Sequence, residues 1–218
     1  MATRTVSRRI FLTISLIALF VISLIPVPVY ADAGDPAPLP DFASFVQSVY
    51  DGDASQLRGV YAPGIMALPV INQPGYDALY VSKDEETLTR FASADYFGTI
   101  GLLAHNYLAG KHFTSLLPGR VVYLVYGDGT KVPYTITQVS SFQAYEPYNP
   151  YSEYRNLETH ITYSTEQIFR QFYTGTPHVT FQTCIAQGTE LGWGRLFVIA
   201  VPLIEYYAQQ DGLSAKFR

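Results

Sequence analysis

Three residues of this sequence could together make and use a nucleophile. Cys184, the only cysteine of the chain, closes the apolar run Val179–Cys184 ("VTFQTC"), Arg195 opens the next run, Arg195–Val201, and His105 ends an earlier one in "GLLAHN" (Gly101–Asn106). A thiol becomes reactive when a nearby base or cation favours its thiolate. An imidazole can carry the proton near neutral pH, and a guanidinium is a permanent forked donor toward developing negative charge. Together these groups suit acyl transfer. Taken singly, each also has a plainer reading: Arg195 as a surface cation at a strand entrance, His105 as a structural histidine. A lone cysteine in an exported chain is a buried apolar residue, a handle for an intermolecular bridge, or a reactive thiol.

The elements that would position these groups are strands. Period-2 alternation over Val179–Cys184 puts Val179, Phe181 and Thr183 on one face and Thr180, Gln182 and Cys184 on the other, more polar one. Ile185–Gly194, with glycines at 188, 192 and 194, reverses the chain into Arg195–Val201. If the two runs pair antiparallel, Cys184 and Arg195 become neighbours across the ladder, with Cα atoms roughly 4.5–5.5 Å apart. His105 would emerge at the rim where its strand gives way to a loop. His112, seven residues on, reads as a lid or solvent residue, and His160 and His178 lie near strand starts with no polar cluster around them.

Elsewhere, Asp41 caps a helix over Asp41–Tyr50 whose Phe42, Phe45, Val46 and Val49 form one apolar face. Arg58–Val70, with prolines at 63 and 69, reads as extended segments broken by turns. Ser82-Lys83-Asp84-Glu85 has the capping-box pattern and predicts a helix to about Ala92. Val121–Tyr126 and Lys131–Val139 flank "GDGT" as a hairpin. Phe142–Arg155 ("FQAYEPYNPYSEYR") reads as a Tyr/Pro-rich loop, and Ser164–Tyr173 as a helix opened by Ser164 with Gln167 three residues later. With 18 tyrosines and 13 phenylalanines, strand-rich packing is favoured. The sum is an all-β class: a closed β-barrel or sandwich with a few short peripheral helices.

The first 31 residues are set apart as an export segment. Arg4, Arg8 and Arg9 precede an uncharged run from Ile10 to Ala31, and Val29-Tyr30-Ala31 offers small residues at the positions a signal peptidase reads. Ser7–Leu12 ("SRRIFL") also fits a twin-arginine signal, and the run is long enough to span a bilayer, so a cleaved signal and an uncleaved membrane anchor both stay open. "DAGDPAPLP" (residues 32–40) is a Pro-rich spacer, which leaves 41–218 as one catalytic-domain-sized body. Without the export segment, 18 acidic residues face 11 of the 14 basic ones, which excludes the basic footprint of a nucleic-acid binder.

"TFQTC" (Thr180–Cys184), Arg195 beyond it and His105 upstream in "LAHN" resemble the sortase family, whose strand-end motif is Thr-Leu-x-Thr-Cys. The resemblance runs from about Gly59 to Val201; Phe181 in place of leucine and Ala104 before the histidine depart from the pattern without removing a reacting group. It implies a small closed β-barrel, here from about Arg58 to Val201. It also implies a transpeptidase that cuts a sorting-signal peptide such as Leu-Pro-x-Thr-Gly and passes the thioacyl group to an amine acceptor on the cell surface. In that reading Cys184 is the nucleophile, His105 its partner and Arg195 the group that steadies substrate or oxyanion, with Thr183 a weaker candidate for substrate contact.

Two other functions remain on these residues. One is a hydrolase with the same three groups, because water and an amine attack the same thioester. The other is a non-catalytic exported binding module gripping a partner through Phe142–Arg155 or bridging it through Cys184. No cofactor is expected. Glu146, Glu153 and Glu158 could hold calcium, as some sortases do, but lack the dense spacing of a calcium loop.

Overall fold

The computed structural model describes residues 38–75 and 77–216. The export segment and most of the 32–40 spacer lie outside the described residues. The first element, α1 (Phe42–Ser48), begins where the Asp41 carboxylate accepts the Ser44 amide at 3.0 Å, satisfying one of the free amides of the first turn. Its apolar face lies on the outside of the sheet as expected. Phe45 and Val46 are buried with Val125, and Phe42 stacks on Tyr61 at 4.7 Å between ring centres.

The β-strands are β1 (Leu57–Ala62), β2 (Met66–Asn72), β3 (Leu88–Phe91), β4 (Ile100–Leu103), β5 (Val121–Tyr126), β6 (Lys131–Ala144), β7 (Tyr154–Asn156), β8 (Thr162–Tyr163), β9 (Val179–Gln187) and β10 (Glu190–Pro202). They run in the order β10-β9-β4-β3-β2-β1-β5-β6, and β6 pairs back onto β10, which closes an eight-stranded barrel. β7 and β8 extend the sheet from β6. Two pairs are parallel, β2 with β3 and β4 with β9. The expected closed barrel with short peripheral helices is therefore what forms, from Leu57 to Pro202. In the β5–β6 hairpin, Gly129 takes φ +82° in the "GDGT" turn, and the Asp128 carboxylate accepts the Thr130 amide at 2.8 Å. Among the described residues no helix is long and apolar enough to cross a membrane.

Beside the cluster under α1, alternation sorts the side chains into two larger cores. Val60, Leu68, Leu102, Leu124, Phe181 and Val198 fill the barrel, into which Phe113 is inserted from a 3-10 segment, Ala109–Ser115. On the outer face of β9 and β10 a second core forms under α3 (Thr165–Tyr173), where Phe172 stacks on Phe197 at 4.1 Å. The Ser164–Gln167 capping box that starts α3 is present in both directions.

Three local expectations are corrected. Ser82–Ala92 is not a helix: the Ser82 hydroxyl accepts the Asp84 amide at 3.1 Å in a turn, and Leu88–Phe91 becomes β3 between β2 and β4. Ladder partners on both sides, with Leu88 and Thr89 fully buried, outweigh a local capping signal. The helix in this region is only α2 (Ala92–Asp95). The Tyr/Pro-rich segment Phe142–Arg155 is a loop only in its middle, because β6 runs on to Ala144 opposite β10 and Tyr154 already belongs to β7. The reversal after Cys184 is also tighter than ten residues. β9 continues to Gln187 and β10 starts at Glu190, with Gly188 at φ +59° in the turn.

Gly59 marks how closely α1 seats on the barrel. A methyl group there would stand 2.7 Å from the Phe45 ring and 3.3 Å from Val49. Gly59→Ala is expected to lower unfolding free energy in urea by about 1–3 kcal/mol by overpacking this contact; an unchanged midpoint would show that α1 rests loosely.

Candidate active site

The parallel pairing of β4 with β9 aligns the two strands that carry the histidine and the cysteine. Leu103 is the register partner of Gln182, and the alignment continues past the strand end, where the Ala104 amide donates to the Gln182 carbonyl at 3.2 Å. One residue further on each strand are His105 and, after Thr183, Cys184, so both leave the barrel at the same end. β10 then supplies the third group: in the antiparallel β9–β10 ladder Arg195 is the direct partner of Cys184. Cys184, His105 and Arg195 line one cavity of about 340 Å³, whose remaining wall includes Phe91, Phe169 and Tyr173.

Cys184 is a free, half-buried thiol. The His105 ring is half-buried and lies over Tyr107, 5.3 Å between centres and 22° from coplanar. Burial holds its pKa below the ordinary histidine value; the Val81 backbone offsets part of this, and the nearby Lys83 charge adds to the depression. The Arg195 guanidinium is held by backbone carbonyls: Nη1 donates to Gly192 at 2.8 Å and to Gly194 at 2.9 Å, and Nη2 to Pro147 at 2.8 Å. Of its five N–H groups, Nε–H and one Nη2–H are left without a partner among the described residues, and no carboxylate there is within salt-bridge distance. A cation so fixed keeps two N–H donors to offer without being paired to a carboxylate.

Thr183 faces the barrel. Its hydroxyl donates to the Ala104 carbonyl at 2.8 Å, so it ties β9 to β4 beneath the site. His178 is buried between the Thr176 and Phe172 carbonyls, His112 is 3.2 Å from Glu86, and His160 occupies a turn at φ +62°. Glu146 accepts from the Asn149 side chain, and among the described residues no group of three or more potential metal ligands forms.

Several residues that frame the site carried no signal in the sequence. Asn106 reaches from the His105 loop to the β9–β10 hairpin and donates to the Leu191 carbonyl at 3.0 Å, across 85 positions of chain. From the β6–β7 loop, the Tyr148 hydroxyl donates to Glu190 of the same hairpin at 2.5 Å. Gly110 packs under the site, where a Cβ would overlap the Thr183 hydroxyl oxygen and fall 2.7 Å from the His105 carbonyl. The hairpin is thus fastened by two bonds whose partners are far apart in sequence.

Because the folded chain disfavours charging His105, the unfolded chain binds more protons between the depressed value and the ordinary one. Stability should therefore fall as pH falls through that window. By NMR the His105 ring is expected to titrate below an unstructured histidine, and Lys83→Ala should move its midpoint upward; a midpoint at or above the ordinary value would contradict the burial argument. Asn106→Ala should release the hairpin tip, giving about fivefold faster hydrogen exchange at the Leu191–Trp193 amides for one lost bond, with little change in global stability. Unaltered exchange would show that Asn106 holds nothing.

No family model and no curated protein matches this sequence. Solved structures similar in fold are sortases. Sortase A from Corynebacterium diphtheriae is 12% identical with a TM-score of 0.47, over 67% of this chain and 60% of that one, so this chain spans less than two thirds of it. Sortase C-1 from Actinomyces oris is 15% identical at 0.45, over 76% and 83%. Sortase C from Clostridium perfringens, described with its C-terminal cell wall sorting motif, is 20% identical at 0.43, over 76% of each chain. At such identities the assignment of a chemistry falls to the side chains of this chain.

Proposed function

We propose that this chain is an exported cysteine transpeptidase of the sortase kind, with residues 41–218 as its catalytic domain. One observation carries the reading: Cys184 faces Arg195 in register across β9–β10, while His105 occupies the matching end of the parallel neighbour β4. In this reading residues 1–31 deliver the domain beyond the cytoplasmic membrane, where a lone thiol needs no disulfide partner.

Neutral His105 takes the proton of the Cys184 thiol, and the thiolate adds to the carbonyl carbon of the scissile peptide bond. The resulting oxyanion accepts from the uncommitted Nε–H and Nη2–H of Arg195, whose positions are set beforehand by three carbonyls and need little rearrangement as charge develops. Collapse breaks the C–N bond. Protonated His105 gives its proton to the departing amine, and the acyl group remains on sulfur as a thioester. An acceptor amine then attacks the thioester carbonyl and loses a proton to His105, and Cys184 leaves as thiolate. The substrate class is a sorting-signal peptide of the Leu-Pro-x-Thr-Gly type, with an amine on the cell surface as acceptor. The depressed pKa of His105 favours its neutral form at pH 7, so His105 is ready to take the acceptor's proton.

Incubation of the purified domain with a library of such peptides, with and without amine nucleophiles, tests the reading by intact mass. A thioacyl adduct on Cys184 is expected, absent in Cys184→Ala and converted to an amide when amine is added. Arg195→Lys should slow adduct formation by roughly 100-fold or more, because an ammonium reproduces neither the fork nor its three carbonyl ties. Peptide cleavage that survives Cys184→Ala would refute the proposal.

A further inference from the structure

The wall of the cavity contains one polar device that acyl transfer does not use. Gln182 stands two positions before Cys184 on the same face of β9 and lines the cavity toward α3. Its Oε1 accepts the hydroxyl proton of Tyr173. Tyr173 is itself locked: 3% exposed, with its ring 5.1 Å from Phe91 and 5.4 Å from Phe169, and its carbonyl accepting the Thr99 hydroxyl at 2.8 Å. Burial pushes its ionisation far above the usual tyrosine range, so the hydroxyl remains a donor.

With Oε1 engaged, the other end of the amide is determined. Gln182 Nε2 has no acceptor among the described residues, yet no side-chain nitrogen or oxygen sealed from solvent is left unpartnered there. Nε2–H is therefore open to the cavity that Gln182 lines. Much of that cavity's wall is carbon, from Phe91, Leu103, Ile168, Phe169 and Phe197, with Thr165, Cys184 and Arg195 among its polar members. An aliphatic group filling this space would displace water from Nε2 and leave a donor unmet.

We propose that Gln182, oriented by Tyr173, is a specificity-determining residue. It selects a substrate side chain that is apolar along its stem and ends in a hydrogen-bond acceptor, such as a ketone or amide oxygen, over a purely aliphatic one of the same shape. This rests on Cys184 being the nucleophile of the proposed function. A site built to meet a polar group rejects the analogue lacking it more strongly than an apolar pocket rejects a missing methylene.

The test uses tetrapeptidyl chloromethyl ketones related to Leu-Pro-Ala-Thr, which alkylate a thiol directly: sulfur bonds to the methylene carbon, chloride leaves, and the thiol proton goes to solvent. At each of the four positions in turn, leucine is compared with its near-isostere 4-oxonorvaline, which carries a ketone oxygen in place of a methyl, and the second-order rate of Cys184 alkylation is measured. At one position the ratio of oxo to leucine rates should fall about tenfold from the native chain to Gln182→Leu. Tyr173→Phe, which leaves Gln182 in place but free to turn, should lower the same ratio less. Ratios unchanged at every position in both variants, or increased in Gln182→Leu, would overturn the proposal. Failure of the proposed function is distinguishable: the matching peptide substrates would form no thioacyl adduct while the chloromethyl ketones still reported the subsite.

Discussion

The site depends on the parallel pairing of β4 with β9. Parallel strands cannot be joined by a tight turn, and between Leu103 and Val179 this chain inserts the 3-10 segment, the β5–β6 hairpin, β7, β8 and α3. Parallel alignment makes the two strands end together, so the residue after Ala104 and the residue after Thr183 leave from one rim. Had β4 met β9 antiparallel, the histidine and the cysteine would stand at opposite ends of the barrel. The Thr183–Ala104 hydrogen bond and the close fit of Gly110 beneath them hold the alignment beyond the last ladder pair.

On this base the chemistry is set by how each group is surrounded. Arg195 has backbone carbonyls as its companions, which fix the fork without cancelling its charge. His105 is partly withdrawn from water beside Lys83, which keeps it neutral more often than a free imidazole. Aromatic rings from β3, α3 and β10 make the groove between them largely apolar, and within it a single oriented amide gains weight, since low local polarity strengthens any hydrogen bond that is made and penalises one that is not.

Much of the architecture was legible wherever the signal was local. Asp41 and Ser164 are helix caps whose partners lie three residues away, and "GDGT" carries its own turn geometry. The capping-box pattern at Ser82 failed for the opposite reason: Leu88–Phe91 has ladder partners in β2 and β4, remote in sequence, and burial between them decides its conformation. The same cause carries β6 on to Ala144, through residues that read as loop, because β10 lies alongside.

For the site, the sequence by itself determined the candidates and one adjacency. Cys184 and Arg195 belong to consecutive strands, so a hairpin suffices to place them opposite each other, and alternation alone put Gln182 and Cys184 on one face. Only the tertiary structure decided that β4 runs beside β9, which brings His105 in. It also decided that Asn106 meets Leu191, that Tyr173 turns the Gln182 amide, and that Pro147 accepts from Arg195. Each of these is a contact between segments whose encounter is governed by barrel closure and core burial, and neither residue type nor spacing records which segments closure will bring together.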